Sequence, residues 1–451
     1  MLNKGRYLKH YIYPNGKVGQ DIKRILEKTG FDKEFIEVND EFVKNNHKEM
    51  QDGIVLISSQ KYYFDIAKRC AQFDLKYING IKFAADILNK FILTISPINK
   101  NIGVILAGPA GNKHRGSVLN NLIKDGGGYK LFFFASSEQQ IIDSKDQIQN
   151  EWVMLLYERE IFKYLNSLSL AITECGETFA PGVTTFYIAH TISLAENNFL
   201  NPKIYKSQFY RYMMNSDFIV ISSKQDYDYI QNLSKEIFGS EDMSHKLLKF
   251  GNPSLEQSIL SYGDFKKTEK KTVLLSFNII TYENPNSVIR LIDALLQKGI
   301  EVYFRPHPVL KEHSISIYIK NKYENDKNFI FDSTVKFSNE LKSKVTTIIS
   351  DVSSMAHTFP LTTLKPAIIY IDEESNFYQN IDKIVRNPIQ IHAKNPSECI
   401  KLINTIYNNQ DLFKDNILSF RSENIYNDID SQDGTSKKIA NFIDEIIRLK
   451  H

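Results

Sequence analysis

Long hydrophobic runs, paired cysteines and an excess of charge of one sign are all missing from this sequence. Among its 451 residues no stretch reaches the ~18 apolar residues that a membrane-spanning helix needs. The opening MLNKGRYLKHYIYPNGK has no apolar core of the signal-peptide kind. Both absences predict a cytoplasmic chain, at most peripheral to a membrane. Three cysteines, Cys70, Cys175 and Cys399, stand far apart, with no Cys-x-x-Cys and no Cys/His cluster. That pattern argues against a zinc site and for buried free thiols in a reducing compartment. Lysine and arginine total 56 against 53 acidic residues, a net charge of +3. So small a surplus gives no ground for nucleic-acid binding. It suits a protein that handles anionic small molecules or touches an anionic membrane surface.

What is present is repeated alternation of strand and helix patterns. At ~100–200 residues per domain the length allows two to four domains. Residues 1–95 read as a small Rossmann-like α/β domain: Tyr11-Ile12-Tyr13, EFIEV, DGIVLISS and KYING as strands, with amphipathic stretches between them. Residues 96–265 restart the alternation with NIGVILAGPAGNKHRG, YKLFFFASS, SLSLAITECG, TTFYIAH and SDFIVISS. The polar stretch SYGDFKKTEKK reads as a hinge, and residues 266–430 run through TVLLSFN, IEVYFRPHP, NFIFD, VTTIISD and PAIIYID. The final segment, 431–451, is an amphipathic helix with Ile439, Phe442, Ile443, Ile446 and Ile447 on one side. The expected fold is α/β, with two doubly wound lobes facing a cleft behind the small N-terminal domain. Ligands in such sheets sit at the carboxyl ends of strands, so candidate chemistry is sought there.

Val302-Tyr303-Phe304 runs directly into Arg305-Pro306-His307-Pro308. The prolines end the strand and stiffen a corner that carries a guanidinium and an imidazole, both suited to phosphate oxygens. A second polar strand end is Ser350-Asp351, followed by Val352-Ser353-Ser354 at the expected start of a helix. Asp351 is placed to cap that helix, and Ser353 and Ser354 to set hydroxyls beside its free amides, an anion site. Together Arg305, His307, Asp351, Ser353 and Ser354 are expected to form a diphosphate clamp. His190, after the strand Phe186-Tyr187-Ile188, is the candidate general base in the other lobe. Gly251 and Asn252 in FGNPS, and Gly108, Gly111 and His114 in LAGPAGNKHRG, are candidates to line the substrate site. In the first domain YPNGKVGQ follows a strand as a dinucleotide loop would, with Gly16, Gly19 and a later Asp40, but Pro14 stands where the first glycine belongs. A structural or docking domain is therefore expected there rather than an NAD site.

The order of YIAHTIS, DFIVISS, FGNPS, RPHP and SDVSSMAHTFPLTTLKPAIIYID resembles the CDP-glycerol glycerophosphotransferase family, polymerases of teichoic acids and related capsule polymers. The likeness spans roughly residues 180–375. It implies a GT-B-like fold and transfer of a polyol phosphate from a CDP-linked donor to a polysaccharide or lipid-linked acceptor. It also implies His190 as the base and Arg305, His307, Ser353 and Ser354 around the donor pyrophosphate, with neither cofactor nor metal required. Two departures are visible: Thr191 follows the histidine, and GNPS lacks an arginine common in the family's turn. Related capsule glycosyltransferases of sialyl- or Kdo-transferase type carry similar elements, so a CMP- or other nucleotide-sugar donor is the alternative. An NAD-dependent oxidoreductase and a non-catalytic polysaccharide-binding scaffold are the readings from other classes.

Overall fold

The computed structural model describes residues 9–106, 115, 117–124, 127–145, 152–173, 176–188, 210–239, 243–277, 283–307, 310–334, 337–351, 353–374, 387–427 and 434–450. Two compact units divide the chain. One comprises Met1–His190, Arg211–Ile219 and Ile439–His451, the other Thr191–Tyr210 and Val220–Lys438. Three sheets are present. Strands β1 (His10–Tyr13), β2 (Phe35–Glu37), β3 (Ile54–Ile57) and β4 (Tyr77–Asn79) form the first, in the order β2-β1-β3-β4, all parallel. The second takes β5 (Asn101–Leu106), β6 (Lys130–Ala135), β7 (Trp152–Leu155), β8 (Leu170–Thr173), β9 (Thr184–Ile188), β10 (Phe218–Val220) and β11 (Leu247–Leu248), in the order β11-β10-β9-β8-β5-β6-β7. The third takes β12 (Thr272–Ser276), β13 (Glu301–Phe304), β14 (Phe329–Phe331), β15 (Thr347–Ser350), β16 (Ala367–Tyr370) and β17 (Gln390–Ala393), all parallel, in the order β14-β13-β12-β15-β16-β17.

The continuous apolar runs predicted to be strands are strands, because a parallel sheet is covered on both faces and cannot afford polar alternation. β5, β12, β15 and β16 are buried at every residue. Successive side chains divide between two cores, as a period of two requires. Ile348 joins the cluster containing Phe359 and Ile369, while Ile349 joins the one containing Phe304, Val302 and Tyr370. Each fully buried Val, Leu, Ile or Phe adds ~1.5–3 kcal/mol, so both faces contribute.

The first and second sheets share one core within the first unit. Ile12, Ile22, Leu26 and Leu88 pack in the same cluster as Ile105, Phe132, Phe134 and Phe162. A polar contact joins them as well. Asp21, in the helix Lys17–Lys28, is buried, and its carboxylate accepts the backbone N–H groups of Tyr157 and Glu158 at 2.7 and 2.8 Å. The terminal helix Thr435–Lys450 buries Ile439, Ile443 and Ile447, with Phe442 and Ile446 half-buried. Its first turn holds no acidic residue, and the buried Glu256 supplies the missing negative charge by accepting from the Thr435 and Ser436 amides. Cys70 and Cys399 are buried free thiols; Cys175 lies outside the described residues. Among the described residues no helix is long and apolar enough to cross a membrane.

Candidate functional site

In the third sheet the strand order reverses at β12, whose neighbours are β13 on one side and β15 on the other. A doubly wound sheet opens its ligand crevice beyond the carboxyl ends of the strands at such a reversal. The register sets Leu275 beside both Phe304 and Ile349. The segments following β13 and β15 therefore emerge on either side of the end of β12, and these are the two segments singled out in the sequence.

Arg305 continues the ladder by one bond, donating its N–H to the Leu275 carbonyl at 2.9 Å. Its side chain turns inward and is only 7 % exposed. The guanidinium pairs with the buried Asp332 carboxylate and donates to the Thr334 hydroxyl at 3.1 Å, with the Phe337 ring 5.5 Å away. Asp332 follows β14 and also accepts the Thr334 N–H and hydroxyl at 3.0 and 2.6 Å. Arg305 therefore ties the ends of β13 and β14 together. Beyond the buried Pro306, His307 is exposed. Desolvation by the surrounding protein holds its imidazole pKa below the ordinary range, and the nearby Asp351 carboxylate pulls the other way.

The β15 side differs in detail from the expectation. The helix begins at Met355, with Ser354 at its N-cap, so Asp351 is not the cap; it is a buried residue at the strand end. The amides of Ala356, His357 and Thr358 already reach the carbonyls of Ser353 and Ser354, and the Met355 N–H reaches the Ser353 hydroxyl at 3.3 Å. The exposed Ser354 makes no side-chain cap bond. Among the described residues these two segments present the Ser353 and Ser354 hydroxyls and the His307 ring, with the helix dipole behind the serines. Pro360 inside this helix removes the donor for the Ala356 carbonyl, and the Gln390 amide supplies one at 3.4 Å. At the far end Lys365 is buried and donates to the carbonyls of Lys342, Ser343 and Val345 at 3.1, 2.9 and 2.8 Å. Burial pushes its pKa down to about 7.

A third strand end went unnoticed in the sequence. After β16, Asp372 accepts from Ser287, Tyr370 and Arg290 at 2.6, 3.0 and 3.0 Å. Burial alone would raise its pKa, but the bonds from Ser287, the Glu374 N–H, Arg290 and Tyr370 hold it below the usual carboxylate range. The signal was available: FIFD and IIYID each place an aspartate directly after an apolar run, as IISD does. The charges at these strand ends therefore do not sum to a basic pocket. Asp332 and Asp372 each pair with one of the two guanidiniums, and Asp351 remains beside His307.

The other candidates are placed elsewhere. Gly251 has φ +92, and a Cβ there would meet the Asn427 backbone nitrogen at 2.7 Å, so glycine is required. Asn252 is buried; it caps the helix Pro253–Tyr262 through the Leu255 N–H at 3.0 Å, and its own N–H donates to the Asn427 side chain at 3.0 Å. His190, Gly108, Gly111 and His114 lie outside the described residues; β9 ends at Ile188 and β5 at Leu106, just before them. In the first sheet, Asp40 accepts from the Tyr13 hydroxyl and pairs with Arg69 at 2.5 Å, so the acidic residue at the ribose-like position is engaged within the protein. A Cβ on Gly19 would stand 2.6 Å from the Pro14 carbonyl oxygen, so close packing of the turn accounts for that glycine. Among the described residues no group of three or more His, Cys, Asp or Glu side chains could hold a metal ion.

Two sheets in which the order reverses at the first strand of each, β5 and β12, together with these polar strand ends, define a GT-B-type α/β fold. Solved structures share it. A histidine-substituted form of the wall teichoic acid polymerase TagF, soaked with CDPG, matches with a TM-score of 0.55 at 14% identity, over 86% of this chain and 96% of that one. TagF without substitution matches with a TM-score of 0.52 at 14% identity, over 87% and 98%. MnaA from S. aureus, in a co-structure with UDP, matches with a TM-score of 0.54 at 12% identity, over 78% and 97%. At these identities the likeness is one of fold. No protein-family model and no curated protein matches the chain.

Proposed function

We propose that the chain is a transferase that moves a polyol phosphate, or a sugar, from a nucleotide-activated donor to a polysaccharide or lipid-linked acceptor. One observation carries the reading: His307 and Ser354, both exposed, stand on the two segments that flank the reversal point of the third sheet. There they donate hydrogen bonds to the donor's phosphates, and the start of the helix Met355–Thr363 adds its dipole. Arg305 is assigned to positioning His307, because its guanidinium already holds Asp332 and Thr334. His190 is assigned as the base that takes the proton from the acceptor hydroxyl. For a CDP-polyol, the acceptor oxygen forms a bond to the polyol's phosphorus, the phosphoanhydride bond breaks, and CMP leaves with the bonding pair. His307 and Ser354 stabilise the charge that develops on it. The donor is a substrate, and neither cofactor nor metal is required. The work is done in the cytoplasm, at the inner face of the membrane where a lipid-linked acceptor is presented.

The CDP-polyol donor is supported by the RPHP and SDVSS motifs and by the shared fold with TagF. A nucleotide-sugar donor is the second reading, supported by the fold shared with the UDP-bound MnaA. Thermal-shift measurements with CDP-glycerol, CDP-ribitol, CMP-sugars and UDP-sugars separate them; stabilisation by UDP-sugars alone rejects the first. Transfer from the stabilising donor should be lost in His190→Ala and strongly reduced in His307→Ala. Wild-type rates in both would overturn the mechanism.

A further inference from the structure

The first sheet also opens at its carboxyl edge. A cavity of about 340 Å³ lies there, lined by Asn15 after β1, Glu37 at the end of β2, and Glu41, Phe42, Asn45 and Asn46 from the helix Asp40–Met50. Its volume falls within the ~300–1,000 Å³ of small-molecule sites. We propose that this cavity binds a neutral, hydroxyl-rich ligand, a saccharide unit, and that the N-terminal sheet is a carbohydrate-docking module. The inference does not depend on the transferase reading.

The lining chemistry selects the ligand. No lysine or arginine contributes to it. Glu37 is paired with Lys23 at 2.7 Å, which leaves the Glu41 carboxylate as the cavity's uncompensated charge. Nearby, Arg69 is held by Asp40 at 2.5 Å and donates to the Tyr13 hydroxyl at 2.6 Å. A phosphate group would meet the Glu41 carboxylate, and the two nearby cations, Lys23 and Arg69, are already held by Glu37 and Asp40, so nucleotides and phosphorylated polyols are disfavoured. Amides both donate and accept, which matches sugar hydroxyls, and carboxylates accept from vicinal pairs of them. Among the described residues no partner is found for the side chains of Asn15, Glu41 and Asn45, so these groups are available. The Asn39 side chain accepts from the Phe42 N–H at 2.9 Å and the Asn46 side-chain amide donates to the Phe42 carbonyl at 3.1 Å, which fixes the backbone that carries the one aromatic ring of the lining, a surface for the apolar face of a sugar.

Saturation-transfer NMR on the full chain tests this with maltotriose, cellotriose and triacetylchitotriose, alongside NAD and spermidine. The expected result is transfer to the ring protons of at least one trisaccharide. Asn15→Ala and Asn45→Ala should each weaken that binding by roughly tenfold, the loss of about one hydrogen bond. Both positions are exposed, so the thermal midpoint should not move. The proposal is overturned by no transfer to any trisaccharide, by transfer that survives both substitutions, or by binding of NAD or spermidine alone. CDP-glycerol binding, measured on the same samples, reports separately on the third sheet.

Discussion

Replacing Arg305 distinguishes a phosphate ligand from an internal anchor. Among the described residues, Arg305→Ala would leave Asp332, 8 % exposed, with only the N–H and hydroxyl of Thr334 as donors. Removing one partner of a buried ion pair costs ~3–5 kcal/mol, because the remaining carboxylate is stranded. At 1.36 kcal/mol per decade, amides of β13 and β14 should lose about two to three and a half orders of magnitude of hydrogen-exchange protection. The double replacement Arg305→Met with Asp332→Leu removes both charges and should recover stability to within ~1 kcal/mol of wild type. Donor affinity then supplies the second axis. If Arg305 acts only through His307, the double variant should bind CDP-glycerol within about threefold of wild type. A direct charged hydrogen bond to phosphate, at ~1.5–3 kcal/mol, would instead cost roughly ten- to more than a hundredfold. The reasoning fails if Arg305→Ala loses less than tenfold protection, or if the double variant folds fully but cannot bind donor.

Burial holds the His307 pKa below the ordinary range, so its imidazole gains charge only in more acidic solution than a free one; CDP-glycerol should therefore bind progressively tighter as the pH is lowered below neutrality, a gain that calorimetry should find missing in His307→Gln. Lys365 has a folded pKa of about 7 against ~10.4 when unfolded, so the unfolded chain binds the extra proton between those values and stability rises with pH across that window. Lys365→Met should flatten that rise in thermal melts and cost ~1–3 kcal/mol at neutral pH by removing the donor from three carbonyls, that of Val345 buried; a parallel pH slope would refute the assignment. Burial raises the Asp21 pKa to about 6 against ~3.9 when unfolded, so here the folded chain holds the extra proton and stability falls as pH rises from about 4 to 6. Trp152 packs beside the core that Asp21 adjoins, so its fluorescence during urea unfolding should show that decline in the wild type and lose it in Asp21→Ala.

The strands were legible because parallel sheets demand apolar residues on both faces, and NIGVIL, TVLLS, TIIS and AIIY state that demand locally. The position of the candidate site was legible for the same reason, since polar residues that interrupt such runs must lie at strand ends. What each polar group pairs with was not. Asp332 is 27 positions from Arg305, and Asn427 is 175 from Asn252. No periodicity or local motif reports such separations. The start of the helix after β15 was misread for a related reason: Asp351 satisfies the local rule for a cap, but β15 carries it into the interior and Ser354 takes the position.

The missing partners change the physical character of the site. RPHP taken alone promises a permanent positive charge for a diphosphate. Folded, that charge is neutralised by Asp332, while Arg290 is neutralised by Asp372, and Asp351 faces the one imidazole that remains. On the proposed reading, recognition of an anion there rests on neutral donors and a helix dipole, which are directional and short-ranged, rather than on a long-range field. Screening by salt acts on long-range fields between charges and little on hydrogen bonds made at contact. Donor affinity should therefore change less than about threefold between 50 and 500 mM NaCl. A steep, linear loss of affinity over that range, measured by calorimetry, would show that an unpaired cation outside these strand ends carries the binding, and would move the phosphate site away from His307 and Ser354.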